Sequence, residues 1–205
     1  IRGQQGMDVL GKALNIFGGG YGIESEIKGS TTININKGYV FQVFGGGEMG
    51  AIGVHDGEDA SGKYIYNYNP DYSTCINLSG LTNLPGVPKG QTGDDPDMAE
   101  AEFIYGGSFE GPIAGNTVIN LNNGRVFDTF AGSCNADIQG HTETYIGKNG
   151  FPYIRDDVYG GNDLGGRILG SKSFKSRVQN MNMVYGYDQT NNPDPEVLTA
   201  NAYVE

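Results

Sequence analysis

The chain has 205 residues, of which 35 are glycine, 13 are tyrosine and none is tryptophan, and 37% are apolar. This composition predicts many turns around a thin interior, and the glycine density excludes an all-helical fold. The net charge of −11 would repel a phosphate backbone, which argues against nucleic acid as a partner, and no apolar run approaches the roughly 18 residues of a membrane span.

The first predicted elements are three short strands, at about 23–27, 32–35 and 39–44, separated by glycine bends. Successive side chains of a strand point to opposite faces, so Ile33 and Ile35 share one face and Asn34 lies on the other. We expect isoleucine and leucine to face a core, and asparagine and threonine to face solvent.

An aromatic residue with a glycine one or two positions after it closes this unit and recurs along the chain. The aromatic positions are 17, 44, 105, 130, 159 and 185, with steps of 27, 61, 25, 29 and 26 residues. A threonine-rich strand also recurs, at 31–36, 74–79 and 117–122. Like segments that return after 25 to 29 residues predict that like strands stack in parallel.

The sequence therefore predicts one all-β domain over residues 1–205, folded as a single-stranded parallel β-solenoid of about six coils. A right-handed β-helix is the default sense for parallel crossovers. The alternative is a β-sandwich or jelly roll, which would require hairpin connections between neighbouring strands.

The 61-residue step indicates two insertions, at 54–72 and 81–102, on either side of a threonine-rich strand. The first contains Tyr64, Tyr66 and Tyr68, interleaved with amide side chains. Alternating aromatic and amide groups suit a sugar-binding platform, because rings stack on sugar faces and amides bind hydroxyls. A strand that buries the same tyrosines would show the same pattern.

The second insertion contains the densest acidic cluster, with Asp94, Asp95 and Asp97. Oxygen-rich loops of this kind hold Ca²⁺, so calcium is the one cofactor that the sequence suggests, and a solvated loop is the alternative. The two histidines, His55 and His141, are too few for a multi-histidine zinc site.

Two further carboxylates share a position in the repeat, since Asp128 and Asp157 each lie two residues before a repeat aromatic. Stacked strands are about 4.8 Å apart, which is near the roughly 5 to 5.5 Å between the carboxyl groups of retaining glycosidases. The pair is the best catalytic candidate in the sequence. Acidic side chains on the solvent face of an acidic protein are the simpler explanation.

The combination of an aromatic with two glycines, a Thr-x-Ile-Asn strand and a glycine before Val-Phe resembles the glycine-rich β-helical repeats of adhesin-like surface proteins of Bacteroidetes. The resemblance covers residues 16–53 and 104–186. It implies an extracellular or cell-surface scaffold that contacts a glycan or a surface protein through its insertions, rather than an enzyme. Polysaccharide lyases and glycoside hydrolases also use parallel β-helices, and a purely structural fibre or assembly subunit is a third interpretation. The sequence leaves open whether the chain belongs to a longer polypeptide or assembly.

Overall fold

The computed structural model describes residues 12–80, 99–148, 150 and 152–170, and the backbone of 175–178. This part of the chain is built of short strands with one 3₁₀ turn, Pro70–Tyr72. The strands are β1 (Lys12–Phe17), β2 (Glu26–Ile27), β3 (Thr31–Ile35), β4 (Gly38–Phe44), β5 (Ala51–Ile52), β6 (Thr74–Leu78), β7 (Ala99–Tyr105), β8 (Thr117–Leu121), β9 (Arg125–Phe130), β10 (Thr142–Ile146), β11 (Tyr153–Ile154), β12 (Val158–Tyr159) and β13 (Lys175–Val178).

The strands form three sheets, and their pairings are parallel. One sheet, here called the aromatic sheet, has the order β1-β4-β7-β9-β11, with β12 also paired to β9. A second, the threonine sheet, has the order β13-β10-β8-β6-β3. The third pairs β2 with β5, and isolated parallel bridges extend it as a column of isoleucines at positions 27, 52, 113, 138 and 168. The described part of the chain is therefore all-β with parallel sheets.

The register of the threonine sheet confirms the prediction that the three copies of the Ile-Asn strand lie side by side. Ile33 pairs with Ile76, and Ile76 pairs with Ile119. Ile76 and Ile119 are fully buried, whereas Ile33 is half-buried because β3 is the edge strand of this sheet. Asparagine lies on the opposite face, as alternation requires.

The expectation that threonine faces solvent is wrong at the first position of β3, β6, β8 and β10. These threonines are buried, and each hydroxyl donates a hydrogen bond to a carbonyl at the bend that follows the next aromatic strand. The four bonds are Thr31 to Gly45, Thr74 to Gly106 and Thr117 to Ala131, each of 2.6 Å, and Thr142 to Gly160, of 2.9 Å. The hydroxyl thus satisfies a buried carbonyl and ties the threonine sheet to the end of the aromatic sheet.

The repeat aromatics form a continuous stack at the ends of the strands of the aromatic sheet. Neighbouring ring centroids are 4.7 to 5.0 Å apart and the ring planes differ by less than 10°. The stack consists of Phe17, Phe44, Tyr105, Phe130 and Tyr159. Its spacing follows directly from the distance between parallel strands.

Two predicted boundaries differ from the structure. The strand expected at 23–27 is reduced to Glu26–Ile27, and Ile23 is 66% exposed. The second insertion is expected to reach residue 102, but β7 begins at Ala99 and pairs with β4 over its whole length. Residues 81–98 of that insertion lie outside the described residues.

Candidate functional site

The first insertion, residues 54–72, leaves the isoleucine column after Ile52 and returns to the threonine sheet at β6. Its outer part folds back on itself: Asp56 N–H donates to Ile65 O at 2.8 Å, and Ile65 N–H donates to Gly57 O at 2.9 Å. The tip closes on Asp59, whose Oδ1 accepts backbone hydrogen bonds from Ser61 and Lys63. The insertion is therefore an ordered substructure with its own hydrogen bonds.

Glu26 of β2 holds the insertion against the sheets. Its Oε1 accepts hydrogen bonds from the backbone N–H of His55 at 2.9 Å and from the Tyr66 hydroxyl at 3.2 Å, and it lies 2.7 Å from Nδ1 of His55. The imidazole stacks on Tyr64 with ring centroids 4.2 Å apart, and the Tyr64 hydroxyl donates to Glu24 at 2.8 Å. Two carboxylates, that of Glu26 in β2 and that of Glu24 in the turn before it, thus hold three side chains of the insertion.

These contacts shift the ionisation of the groups that take part. Burial alone would raise the pKa of Glu26, but the hydrogen bonds from His55 and Tyr66 and the charge of His55 together lower it. Burial, followed by the negative charge of Glu26, raises the pKa of Tyr66. Glu26 therefore accepts these bonds as a carboxylate, and the Tyr66 hydroxyl keeps its proton.

The structure gives the three tyrosines of the sequence prediction different environments. Tyr66 is buried, with an exposed fraction of 8%, and packs with Ala51 and Ala114. Tyr64 is half-buried beneath His55. Tyr68 is 52% exposed. Tyr64 and Tyr66 thus attach the insertion to the sheets, and only Tyr68 of the three presents an open ring face.

Tyr68 borders a cleft of about 370 Å³ between the insertion and the corner after β2. The cleft is lined by Lys28, Val54, Asp56, Asn67, Tyr68, Asn69 and Tyr72. The Tyr68 hydroxyl accepts a hydrogen bond from Asn116 Nδ2 at 3.3 Å, and Asn116 Oδ1 accepts the backbone N–H of His141 at 3.0 Å. The exposed ring is therefore held at its hydroxyl end by an amide whose own orientation is fixed.

Lys28 is a member of the cleft that the sequence pattern does not single out. Because Ile27 pairs with Ile52, Lys28 follows the strand at the same level at which the insertion departs. The register of the isoleucine column is thus the signal that could have placed Lys28 beside the insertion.

The structure brings together Asp128 of β9 and Asp157, the residue that precedes β12, as their common position in the repeat predicts. The backbone N–H of Asp157 donates to Asp128 Oδ1 at 3.1 Å, and the Tyr159 hydroxyl donates to Asp157 Oδ2 at 2.9 Å. Burial raises the pKa of Asp128, and the charges of neighbouring aspartates add to the rise. Asp157 is exposed. The contact between the two residues therefore runs from the backbone of Asp157 to the carboxyl group of Asp128.

The acidic cluster of Asp94, Asp95 and Asp97 lies outside the described residues, so the calcium site stays a prediction. Within the part of the chain that the structure describes, no group of three or more histidine, cysteine, aspartate or glutamate side chains could hold a metal ion.

Comparisons with protein-family models, with curated proteins and with solved structures find no match for this chain. The function is therefore inferred from the cleft and its surroundings. Among the described residues, no helix is long and apolar enough to cross a membrane.

Proposed function

We propose that the chain is a parallel β-solenoid, a right-handed β-helix of about six coils, that serves as a binding module for a saccharide. Three sets of in-register residues support the solenoid: the aromatic stack, the buried threonines and the isoleucine column. Each set returns once per turn of the chain, with parallel pairing between turns. Such a scaffold is rigid because each coil is held by its neighbours.

The saccharide site is the cleft beside Tyr68, and the observation that carries this assignment is the exposed ring with its hydroxyl tied to Asn116. A sugar ring stacks on an aromatic face when that face is open and held in place. Asn67, Asn69 and Asp56 line the same cleft and supply the polar groups that bind hydroxyls.

Binding of glycans through a loop of a β-solenoid fits an extracellular or cell-surface, adhesin-like scaffold, which is the location that we propose. The first insertion then makes the contact with the glycan, and the regular coils hold the insertion in position.

A second candidate is a β-helical polysaccharide lyase or glycoside hydrolase, favoured by the contact between Asp128 and Asp157 and by the raised pKa of Asp128. A carboxyl group whose pKa is raised can act as a general acid beside an ionised one. Depolymerisation of a polysaccharide by the wild-type chain, lost in the Asp128→Asn variant, would support this candidate.

A glycan array with the wild-type chain and the Tyr68→Ala variant tests the binding proposal. We expect Tyr68→Ala to lose about tenfold or more in affinity, since stacking of a nucleic-acid base on one aromatic ring contributes roughly 1 to 3 kcal/mol and a sugar ring stacks on the same kind of face. Tyr21→Ala is the matched control, because Tyr21 is 72% exposed and does not line the cleft. Equal binding by all three proteins, or no glycan bound by the wild type, would rule the site out.

A further inference from the structure

The polar groups of the cleft are mainly hydrogen-bond donors once their internal contacts are subtracted. Asn69 Oδ1 accepts the backbone N–H of Asp71 at 2.9 Å, which leaves its NH₂ group for a ligand. The Tyr68 hydroxyl oxygen accepts a bond from Asn116, which leaves its O–H to donate. Asp56 Oδ2 already accepts the backbone N–H of Asn67 at 3.3 Å.

Lys28 adds a positive charge to these donors. Its side chain is exposed and lines the cleft, and no salt bridge in the described part of the chain involves it. An ammonium group offers three donors and no acceptor. Lys28, Asn69 and Tyr68 thus present donors on one cleft, where the acceptors are the carboxylate of Asp56 and the amide oxygen of Asn67, whose NH₂ group is a further donor.

A neutral sugar hydroxyl both donates and accepts, so it gains little from an excess of donors. A carboxylate or sulfate group only accepts, and its bonds to a cationic donor are shorter and stronger than neutral ones. We propose that the saccharide carries such an anionic group and that Lys28 binds it while Tyr68 stacks on the sugar ring. This inference rests on the proposed saccharide site and names the class of sugar that it takes.

The overall negative charge of the protein makes the binding of an anionic glycan depend on Lys28. A net charge of −11 gives no long-range attraction for an anionic polymer, so recognition depends on the local contact. Because Lys28 is exposed, the contact is screened by salt. Affinity for the anionic glycan should therefore fall as salt concentration rises, whereas the Tyr68 contribution should not.

The experiment uses an array of oligosaccharides in matched pairs: oligogalacturonates with their methyl esters, and sulfated carrageenan oligosaccharides with their desulfated forms. The proteins are the wild type, Lys28→Gln, Lys28→Arg and, as a control, Lys12→Gln, whose lysine is exposed on β1 and does not line the cleft. Circular dichroism confirms that each variant is folded.

We expect binding to the anionic member of one pair, with about tenfold or greater loss both on neutralising the glycan and in Lys28→Gln, because either change removes the charge-assisted hydrogen bond. The two losses should not add, Lys28→Arg should retain most of the affinity, and Lys12→Gln should bind like the wild type. If binding falls on methyl esterification of the galacturonates, the anionic group is a carboxylate. If it falls on desulfation of the carrageenan oligosaccharides, the group is a sulfate.

Binding that depends on Tyr68 but is equal for both members of every pair, and unchanged in Lys28→Gln, would overturn the anionic assignment and leave the saccharide site standing. Failure of every glycan to bind in a Tyr68-dependent way would overturn the proposed function and this inference with it.

Discussion

The side chains of Asn34 and Asn77 are joined by a 2.8 Å hydrogen bond from the amide of Asn77 to the oxygen of Asn34. Asn120 continues the row with a 2.8 Å bond to the oxygen of Asn77. The three residues pair in register in the threonine sheet. All three amides therefore point the same way along the sheet, and each bond fixes the orientation of the next.

Substitution of Asn77 should cost more than substitution of Asn34, because Asn77 is bonded on both sides. We expect Asn77→Ala to lower the free energy of unfolding by about 1 to 3 kcal/mol, and Asn34→Ala by about 0.5 to 1.5 kcal/mol. Urea denaturation of both variants measures the difference. Equal costs would mean that the row adds little to the backbone pairing.

Gly107 and Gly161 occupy the same position after a repeat aromatic, yet a side chain should affect them differently. A Cβ at Gly107 would lie 2.1 Å from Oγ of Ser133, which itself accepts a hydrogen bond from the Ser108 N–H, whereas a Cβ at Gly161 would have no atom within 4 Å. Gly107→Val should destabilise by about 1 to 3 kcal/mol, and Gly161→Val by no more than about 0.5 kcal/mol. Thermal unfolding of the two variants tests the contrast, and a stable Gly107→Val would contradict it.

Thr144 carries a buried hydroxyl that has no hydrogen-bond partner among the described residues. It pairs with Ile119 in the threonine sheet. Valine has nearly the same shape without the polar group, so Thr144→Val should raise the free energy of unfolding by about 1 kcal/mol or more. Thr117→Val is the opposite control, because the Thr117 hydroxyl donates to Ala131, and it should destabilise. A loss of stability in both variants would contradict the expected stabilisation by Thr144→Val.

The lowered pKa of Glu26 makes the attachment of the first insertion sensitive to acid. An unfolded glutamate has a pKa of about 4.3. Since the folded value lies below the unfolded one, the stabilisation is present in full above the unfolded pKa and is lost as pH falls through the folded pKa. The difference in unfolding free energy between wild type and Glu26→Gln should therefore shrink between about pH 5 and pH 2. A difference that stays constant over this range would show that the carboxylate charge is not what holds His55 and Tyr66.

The sequence was sufficient to predict the parallel register, because Thr-x-Ile-Asn repeats at the same position in three strands and a shift of one residue would expose every isoleucine. It was not sufficient to predict the buried threonines. The carbonyl that binds Thr74 belongs to Gly106, 32 residues further along, and the strand pattern alone does not reveal such a partner.

For a related reason, the sequence could not predict which of the three tyrosines of the first insertion are buried. Strict alternation would put Tyr64, Tyr66 and Tyr68 on one face, but the segment is not a regular strand: only Tyr64 pairs, in a single bridge to Glu58. Asn69 N–H then bonds to Ala114 O at 2.9 Å and the chain enters the turn at Pro70. Contacts with residues that are distant in the sequence therefore decide which ring is buried.

Ile52 and Ile113 are neighbours in the isoleucine column although 60 residues separate them in the chain, among them the first insertion and residues 81–98. The column continues past both departures without a gap. Changes in the length of these two segments need not disturb the pairing of Ile52 with Ile113, because the free-energy cost of closing a loop rises only slowly with its length. Selection can therefore lengthen, shorten or replace the segment that carries the cleft while the rest of the chain stays as it is, so that the shape and chemistry of the cleft can change without a new scaffold.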